Sequence, residues 1–229
     1  MSIPWFDTLG VFDLETTGID VEHSRIVSAH VGVLNAAGEL VEDWNWLADP
    51  GVDIPAGASD VHGITTERAR AEGRPAKEVI GEIIDVLSAL ISRGLAITIY
   101  NAPYDLSLLR AEALRYGLEP LTTPAPIIDP LVLDKVVDRY RKGKRTLEAA
   151  AVAYGVSLVD AHDASADAIA AGRVAQAMAR KYPEVLSIEA PVLHAQQVEW
   201  CAQQSADFQD YMRRTHNPSF TTSGLWPVR

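Results

Sequence analysis

The sequence holds a single cysteine, Cys201, among 229 residues. One thiol can build neither a disulfide framework nor a cysteine-based metal site, and it suits a reducing cytoplasm. No apolar run is long enough to span a bilayer, because the most apolar stretch, 83–100, is broken by Asp85, Arg93 and Gly94. The opening segment, Met1 to Asp7, lacks both the basic region and the apolar core of a secretory leader. A cytoplasmic location with no membrane partner is therefore expected. Basic residues are also in deficit, 20 Lys and Arg against 31 Asp and Glu, for a formal net charge of −11. That balance disfavours nucleic-acid binding by phosphate neutralisation alone. Acids that hold divalent cations reverse the local sign, however, so overall charge does not decide the partner.

What is present is an apolar fraction of 48% and a charged fraction of 22%, as in soluble globular proteins. The length allows one large domain, or a domain with an appended segment. The most informative stretch is Val11-Phe12-Asp13-Leu14-Glu15-Thr16-Thr17-Gly18. Its apolar residues predict a β-strand, on which Asp13 and Glu15 share one face with Cα atoms about 6.5–7 Å apart. Two carboxylates on one buried face repel each other unless a cation or a proton sits between them. A strand ending in acids beside a turn at Gly18 offers the oxygen ligands that hard metal ions take.

A hairpin is expected next, with arms over 25–35 and 40–47 about a turn at Ala37-Gly38. Residues 49–65, rich in Pro, Gly and Asp, read as a loop containing Val61-His62-Gly63-Ile64-Thr65. The spacing of Val79, Ile83, Val86, Leu87 and Leu90 predicts a helix over 76–92. A short buried strand is expected over 95–100, then a helix from Asn101-Ala102-Pro103, with Asn as cap, to about Tyr116. A further strand is expected over 126–129, and helices over 131–137, 146–154 and 163–181. Early strands followed by alternating strands and helices favour an α/β domain with a mixed sheet. Composition changes at Pro183: 192–214 reads as a long polar helix, and 215–229 shows no period. The expected division is therefore a domain over 1–182 and a helical and irregular C-terminal extension over 183–229.

Two further acids fall where this topology can bring them to the first strand. Asp105 lies in the first turn of the helix after Tyr100-Asn101-Ala102-Pro103-Tyr104, and Asp167 lies near the start of the Ala-rich helix. His162 precedes Asp167 by five residues, about 140° around a helix, so it is placed on the loop ahead of that helix. These stretches together resemble the DEDD superfamily of 3′→5′ exonucleases, in its histidine-containing, DnaQ-like branch typified by the proofreading subunit of bacterial DNA polymerase III. Phe12 to Gly18 resembles the first motif, Asn101 to Asp105 the second, and His162 with Asp167 the third. Val61 to Thr65 is similar to a further signature on the substrate loop. The resemblance covers roughly 8–182. It departs at Tyr100, where many relatives carry His, and says nothing of the extension.

The resemblance implies an RNase H-like fold and release of nucleoside 5′-monophosphates from a 3′ end, most simply of single-stranded DNA. It implies that Asp13, Glu15, Asp105 and Asp167 hold two divalent cations, Mg²⁺ or Mn²⁺, with Asp13 bridging them and His162 as general base. By the same resemblance Leu14, Thr16, Thr17 and His62 contact the 3′-terminal nucleotide. Thr16-Thr17 resembles the DNA-type first motif; an exoribonuclease of the same superfamily is the alternative. A third reading is an adaptor for a DNA polymerase or sliding clamp, with the tail as docking element. Gln204 to Phe208 faintly resembles a clamp-binding peptide, but Asp207 stands where an apolar residue is needed. Trp200, Phe208 and Tyr211 read as a docking stripe or as residues that fold back on the domain. Asp163 is read as a helix cap. Asp129 reads as a cap or as a group behind the site, and Tyr104 as a core aromatic. The basic run Arg139 to Arg145 either tracks a phosphate backbone or forms a solvated turn.

Overall fold

The structure is a computed structural model that describes residues 4–158 and 162–229. Met1 to Ile3 of the segment weighed as a leader, and Ala161 just ahead of His162, thus lie outside the described residues. Strands β1 (Thr8–Thr16), β2 (Ile26–Asn35) and β3 (Leu40–Asp49) form an antiparallel meander. Helices α1 (Ala56–His62) and α2 (Thr66–Glu72) follow, then the two-residue β4 (Arg74–Pro75), parallel to β3. Helix α3 (Ala76–Ser92) leads to β5 (Ile97–Thr98), α4 (Pro103–Arg115) and β6 (Ile127–Ile128). Both short strands run parallel to β1, giving the sheet order β4-β3-β2-β1-β5-β6. The chain continues through α5 (Pro130–Val137), α6 (Leu147–Tyr154), α7 (Ala164–Lys181), α8 (Pro183–Leu186) and α9 (Ala190–Thr215). This is the expected mixed α/β sheet with helices on both faces. No helix among the described residues is long and apolar enough to cross a membrane.

The alternation of β1 sorts its side chains between two cores. Phe12 and Leu14 join the cluster that includes Ile80, Ile83 and Leu87 of α3 and Leu109 of α4. Leu9 and Val11 join the cluster built with Ala168, Ala175 and Met178 of α7. Asp13 and Glu15 continue the second face, so the strand points its acids toward α7. Helix α7 can approach because its contact face is small. A Cβ built on Gly172 would lie 2.5 Å from Val11 Cγ1 and 2.6 Å from Leu34 Cδ1.

Two expectations change. Residues 49–65 are not all loop, since 56–62 is helical and is stopped by Gly63 at φ 72°. Helix α2 carried a sequence signal, with Thr65 ahead of Glu67 and Gly73 at its end. Thr65 Oγ1 does accept from Arg68 N–H. Asn101 is not the cap of α4; it adopts φ 62° and its turn is held from elsewhere.

Helix α9 has few apolar anchors because polar side chains do its docking. His194 Nδ1 accepts from Ile127 N–H at 3.1 Å, and Gln197 Nε2 donates to Ile127 O at 3.0 Å. Gln197 Oε1 accepts from Asp129 N–H at 2.7 Å. These bonds satisfy the outer edge of β6 as a further strand would. Trp226 and Arg229 return to the same region, through Trp226 Nε1 to Asp129 Oδ2 at 3.2 Å and Arg229 N–H to Ser107 Oγ at 2.8 Å.

The Gly172 contact yields a test. Gly172→Leu is expected to lower the free energy of unfolding by about 1–3 kcal/mol, the usual effect of overpacking a core. Denaturant titration measures it, and an unchanged midpoint would show that α7 does not need this close approach.

Candidate active site

The site forms where β5 leaves the sheet. Gly10 N–H still donates to Ala96 O at 2.8 Å, but the β1–β5 register ends at Val11 and Thr98. Beyond that point the edge of β1 is open, and α4 enters it. The buried carboxyl of Asp105, 3% exposed, accepts from Leu14 N–H and from its own backbone N–H. Asp105 is thereby held against the acid-bearing end of β1 by the hydrogen bond that the missing strand would have made.

Asp129 sets the turn before α4. Its Oδ1 accepts from Asn101 N–H at 2.9 Å and Leu131 N–H at 2.9 Å, and its Oδ2 from Ala102 N–H at 3.0 Å. It therefore caps α5, as one of its two sequence readings had it. It also fastens the turn that leads into α4 and Asp105, and through Trp226 it ties that turn to the C-terminal segment.

Across the strand, α7 brings Asp167 into range. Asp163 caps α7 by accepting from Ser165 and Ala166 N–H, both at 3.1 Å. Asp167 Oδ2 accepts from His162 N–H at 3.2 Å, while its buried Oδ1 has no partner. One oxygen each of Asp13, Glu15 and Asp167 lies within 4.8 Å of the others. Asp105 stands outside that trio but close enough to repel Asp13.

The electrostatics follow from this crowding. Burial and then the charges of Asp105, Glu15 and Asp167 push the Asp13 carboxyl well above the ordinary carboxylate range. Burial, then Asp167 and Asp163, push Glu15 up to about 8. Burial also raises Asp105 and Asp167. A group of acids that resists ionisation while keeping a buried oxygen unpartnered fits a divalent cation: the charge cancels the repulsion, and the oxygens are the ligands that hard cations take.

His162 stands beside this group at φ 70°, with its side chain half exposed. Its Nε2 lies 3.8 Å from Glu148 Oε1 of α6, a neighbour the sequence did not single out. His162 and Glu15 both line a cavity of about 370 Å³, shared with His62 and Arg68. A second cavity of about 350 Å³ adjoins it, lined by Thr16, Thr17, Ile19, Val61, His62 and Tyr104. His62 Nδ1 accepts from Ile64 N–H at 3.2 Å, its Nε2 is buried without a partner, and burial lowers its pKa. Tyr104 does more than pack: its hydroxyl donates to Gly18 O at 2.6 Å and contacts Thr16 Oγ1, which shapes the turn after β1. Leu14 is 5% exposed, and its side chain packs into the core with α3 and α4.

The basic run divides. Arg141 and Arg145 converge on the buried Asp134, with Arg145 Nη1 at 2.6 Å from its Oδ2. Tyr100 donates to Arg145 O at 2.8 Å. These two arginines therefore serve the scaffold, while Arg139 is 69% exposed.

Comparison with known proteins shows the family and the fold. A family model described as exonuclease (RNase T) matches residues 11–175. The chain is 31% identical over 180 residues to a DNA polymerase III subunit epsilon-like protein of Rhodobacter capsulatus, covering 77% of this chain and 24% of that one. It is 29% identical over 168 residues to the PolC-type DNA polymerase III of Streptococcus thermophilus, covering 73% of this chain and 11% of that one. The chain thus spans a quarter or less of these relatives. Among solved structures, exonuclease I of Methylocaldum szegediense superimposes with a TM-score of 0.67 at 21% identity, over 87% of this chain and 46% of that one. Exonuclease I of E. coli gives 0.66 at 21% identity, over 78% and 42%. The fold is therefore the RNase H-like fold of the DnaQ-like exonucleases.

The raised carboxyls have a measurable consequence. The folded state holds the Glu15 proton more tightly than the unfolded chain, whose value is near 4.5. Stability from this group is complete below that value and is lost as pH rises through about 8. In chelator, the melting temperature is expected to fall between pH 5 and 8, and added Mn²⁺ is expected to restore more at pH 8 than at pH 5. A melting temperature that rises over that interval and ignores Mn²⁺ would contradict the reading.

Proposed function

This chain belongs to the exonuclease family, and from that premise we propose that it removes nucleotides from the 3′ end of single-stranded DNA, releasing nucleoside 5′-monophosphates. The observation that carries the reading is the convergence of Asp13, Glu15 and Asp167, within 4.8 Å by one oxygen each, beside the buried Asp105. DNA is supported by the DNA polymerase III relatives and by exonuclease I, which has been crystallised with dA16 and dT13 oligonucleotides. Those relatives also support service to a polymerase, with 1–182 as the nuclease unit and 183–229 as its extension.

Asp13, Glu15, Asp105 and Asp167 would hold two Mg²⁺ or Mn²⁺ ions. When bound, such ions neutralise charge on the phosphate oxygens and lower the pKa of a bound water. The side chains supply position and proton transfer. The terminal nucleoside enters the cavity lined by Thr16, Thr17 and Tyr104, where the unpartnered His62 Nε2–H finds an acceptor on it. His162 takes the proton of the attacking water, a role for which an imidazole ring nitrogen is chemically suited. Glu148, 3.8 Å away, favours the imidazolium that forms. The bond broken is that between phosphorus and the O3′ of the preceding nucleotide. The new P–O bond comes from water, and the departing O3′ takes up a proton from solvent, so the shortened strand ends in a 3′-hydroxyl.

A single assay tests this. With Mg²⁺ or Mn²⁺, 5′-labelled single-stranded DNA is expected to shorten as a ladder from its 3′ end, and neither Asp13→Ala protein nor chelated wild type should produce it. Equal decay by Asp13→Ala would sink the assignment, and faster loss of RNA of the same sequence would make the enzyme an exoribonuclease. His162→Ala is expected to lower kcat about 10²–10⁴-fold, the range for loss of a general base, with cation binding retained by calorimetry. Abolished cation binding would make His162 a ligand instead.

A further inference from the structure

A cavity larger than either at the acids lies on the other side of the α4 N-terminus. It measures about 800 Å³ and runs between α5, α9 and the C-terminal segment. Its wall carries Lys135, Arg139 and Arg229 against two carboxylates, Asp129 and Asp207, while Arg145 also lines it but is paired with the buried Asp134. In a chain of net charge −11 this is a local reversal of sign. The carboxylates are already engaged. Asp129 accepts from four N–H groups, and Asp207 accepts from Gln203 at 2.8 Å and lies 3.7 Å from Arg139. Lys135 makes no ion pair among the described residues.

The same wall presents aromatic rings. Gln204, Phe208 and Tyr211 fall at helical spacing on one face of α9, and all three line the cavity. Gln204 is used internally, donating to Val132 O at 3.1 Å. Phe208 and Tyr211 are each 49% exposed. Phe220 backs Phe208 edge-on at 5.5 Å, and His216 stands edge-on to Tyr211 at 5.9 Å. Cations interleaved with half-exposed rings are the elements that hold a single strand, phosphates on the cations and bases on the ring faces.

Continuity with the acidic site comes from one helical turn. Asn101 and Pro103 line this groove, Tyr104 lines the terminal-nucleotide cavity, and Asp105 reaches β1. Successive residues point about 100° apart, so the groove and the cavity lie on different sides of a helix end some 10–12 Å across. Phe208, Tyr211 and the C-terminal segment all lie beyond the matched residues 11–175. The extension therefore adds this surface to the exonuclease unit.

We propose that the groove holds the nucleic-acid strand several nucleotides upstream of the end being cut, with phosphates on Lys135 and Arg139 and bases stacked on Phe208 and Tyr211. The proposal rests on the function proposed above, because it takes the 3′ end to lie at the acids. It makes the extension a measure of strand length: long strands engage both sites, and short ones only the acids.

The test compares Phe208→Ala/Tyr211→Ala and Lys135→Glu with wild type on oligothymidylates of three and twenty nucleotides. Phe208 and Tyr211 are exposed and Lys135 is half-buried, and unchanged melting temperatures confirm folding. The expected result is a loss of at least tenfold in kcat/KM on the long strand, with the trinucleotide unchanged within twofold. Lys135→Glu is further expected to flatten the salt dependence on the long strand. Equal losses at both lengths, or none at either, would overturn the groove assignment. Fluorescence anisotropy of a labelled twenty-mer in chelator separates the two readings. If wild type cleaves neither strand, the proposed function fails. Weaker binding by the variants still supports the groove, and unchanged binding overturns it.

Discussion

Everything at this site follows from one unfavourable interaction, the repulsion among acids gathered at the end of β1. Asp13 is surrounded by Glu15, Asp105 and Asp167, and burial makes each charge harder to carry. Two buried like charges a few ångströms apart are unfavourable by several kcal/mol at the effective dielectric of a protein. A fold tolerates such a cluster when a ligand relieves it, and a divalent cation is the ligand whose charge and donor preference match.

Backbone donors and helix caps hold the acids of the cluster in place. The Leu14 N–H holds Asp105, the His162 N–H holds one oxygen of Asp167, and Asp163 is spent on capping α7. Behind the acids, Asp129 gathers Asn101, Ala102, Leu131 and Trp226 at one carboxylate. The C-terminal segment is thus bonded to the turn ahead of α4, the helix that presents Asp105. Asp134 plays the matching part for Arg141 and Arg145, which explains why most of a conspicuous basic run is turned inward.

Local patterns were legible in the sequence; convergent polar contacts were not. The 3.6-residue apolar period of α3 located that helix to its end residues, and alternation in β1 placed Asp13 and Glu15 on one face. Asp163 was readable as a cap because caps act within three residues. Helix α1 was hidden by a Pro- and Gly-rich composition that equally suits a loop. The role of Asp129 required bonds to residues 28 and 97 positions away, and the polar face of α9 looked unanchored until its partners on β6 were placed. Such contacts carry no periodicity, so a single sequence gives no sign of them.

The most direct measurement of the central claim is anomalous diffraction from crystals grown with Mn²⁺. Manganese is expected at the carboxylate oxygens of Asp13, with Glu15, Asp105 or Asp167 completing the protein ligands. The peak should vanish in Asp13→Ala. Manganese bound elsewhere, or an ordered acid cluster that excludes it at neutral pH, would contradict the account.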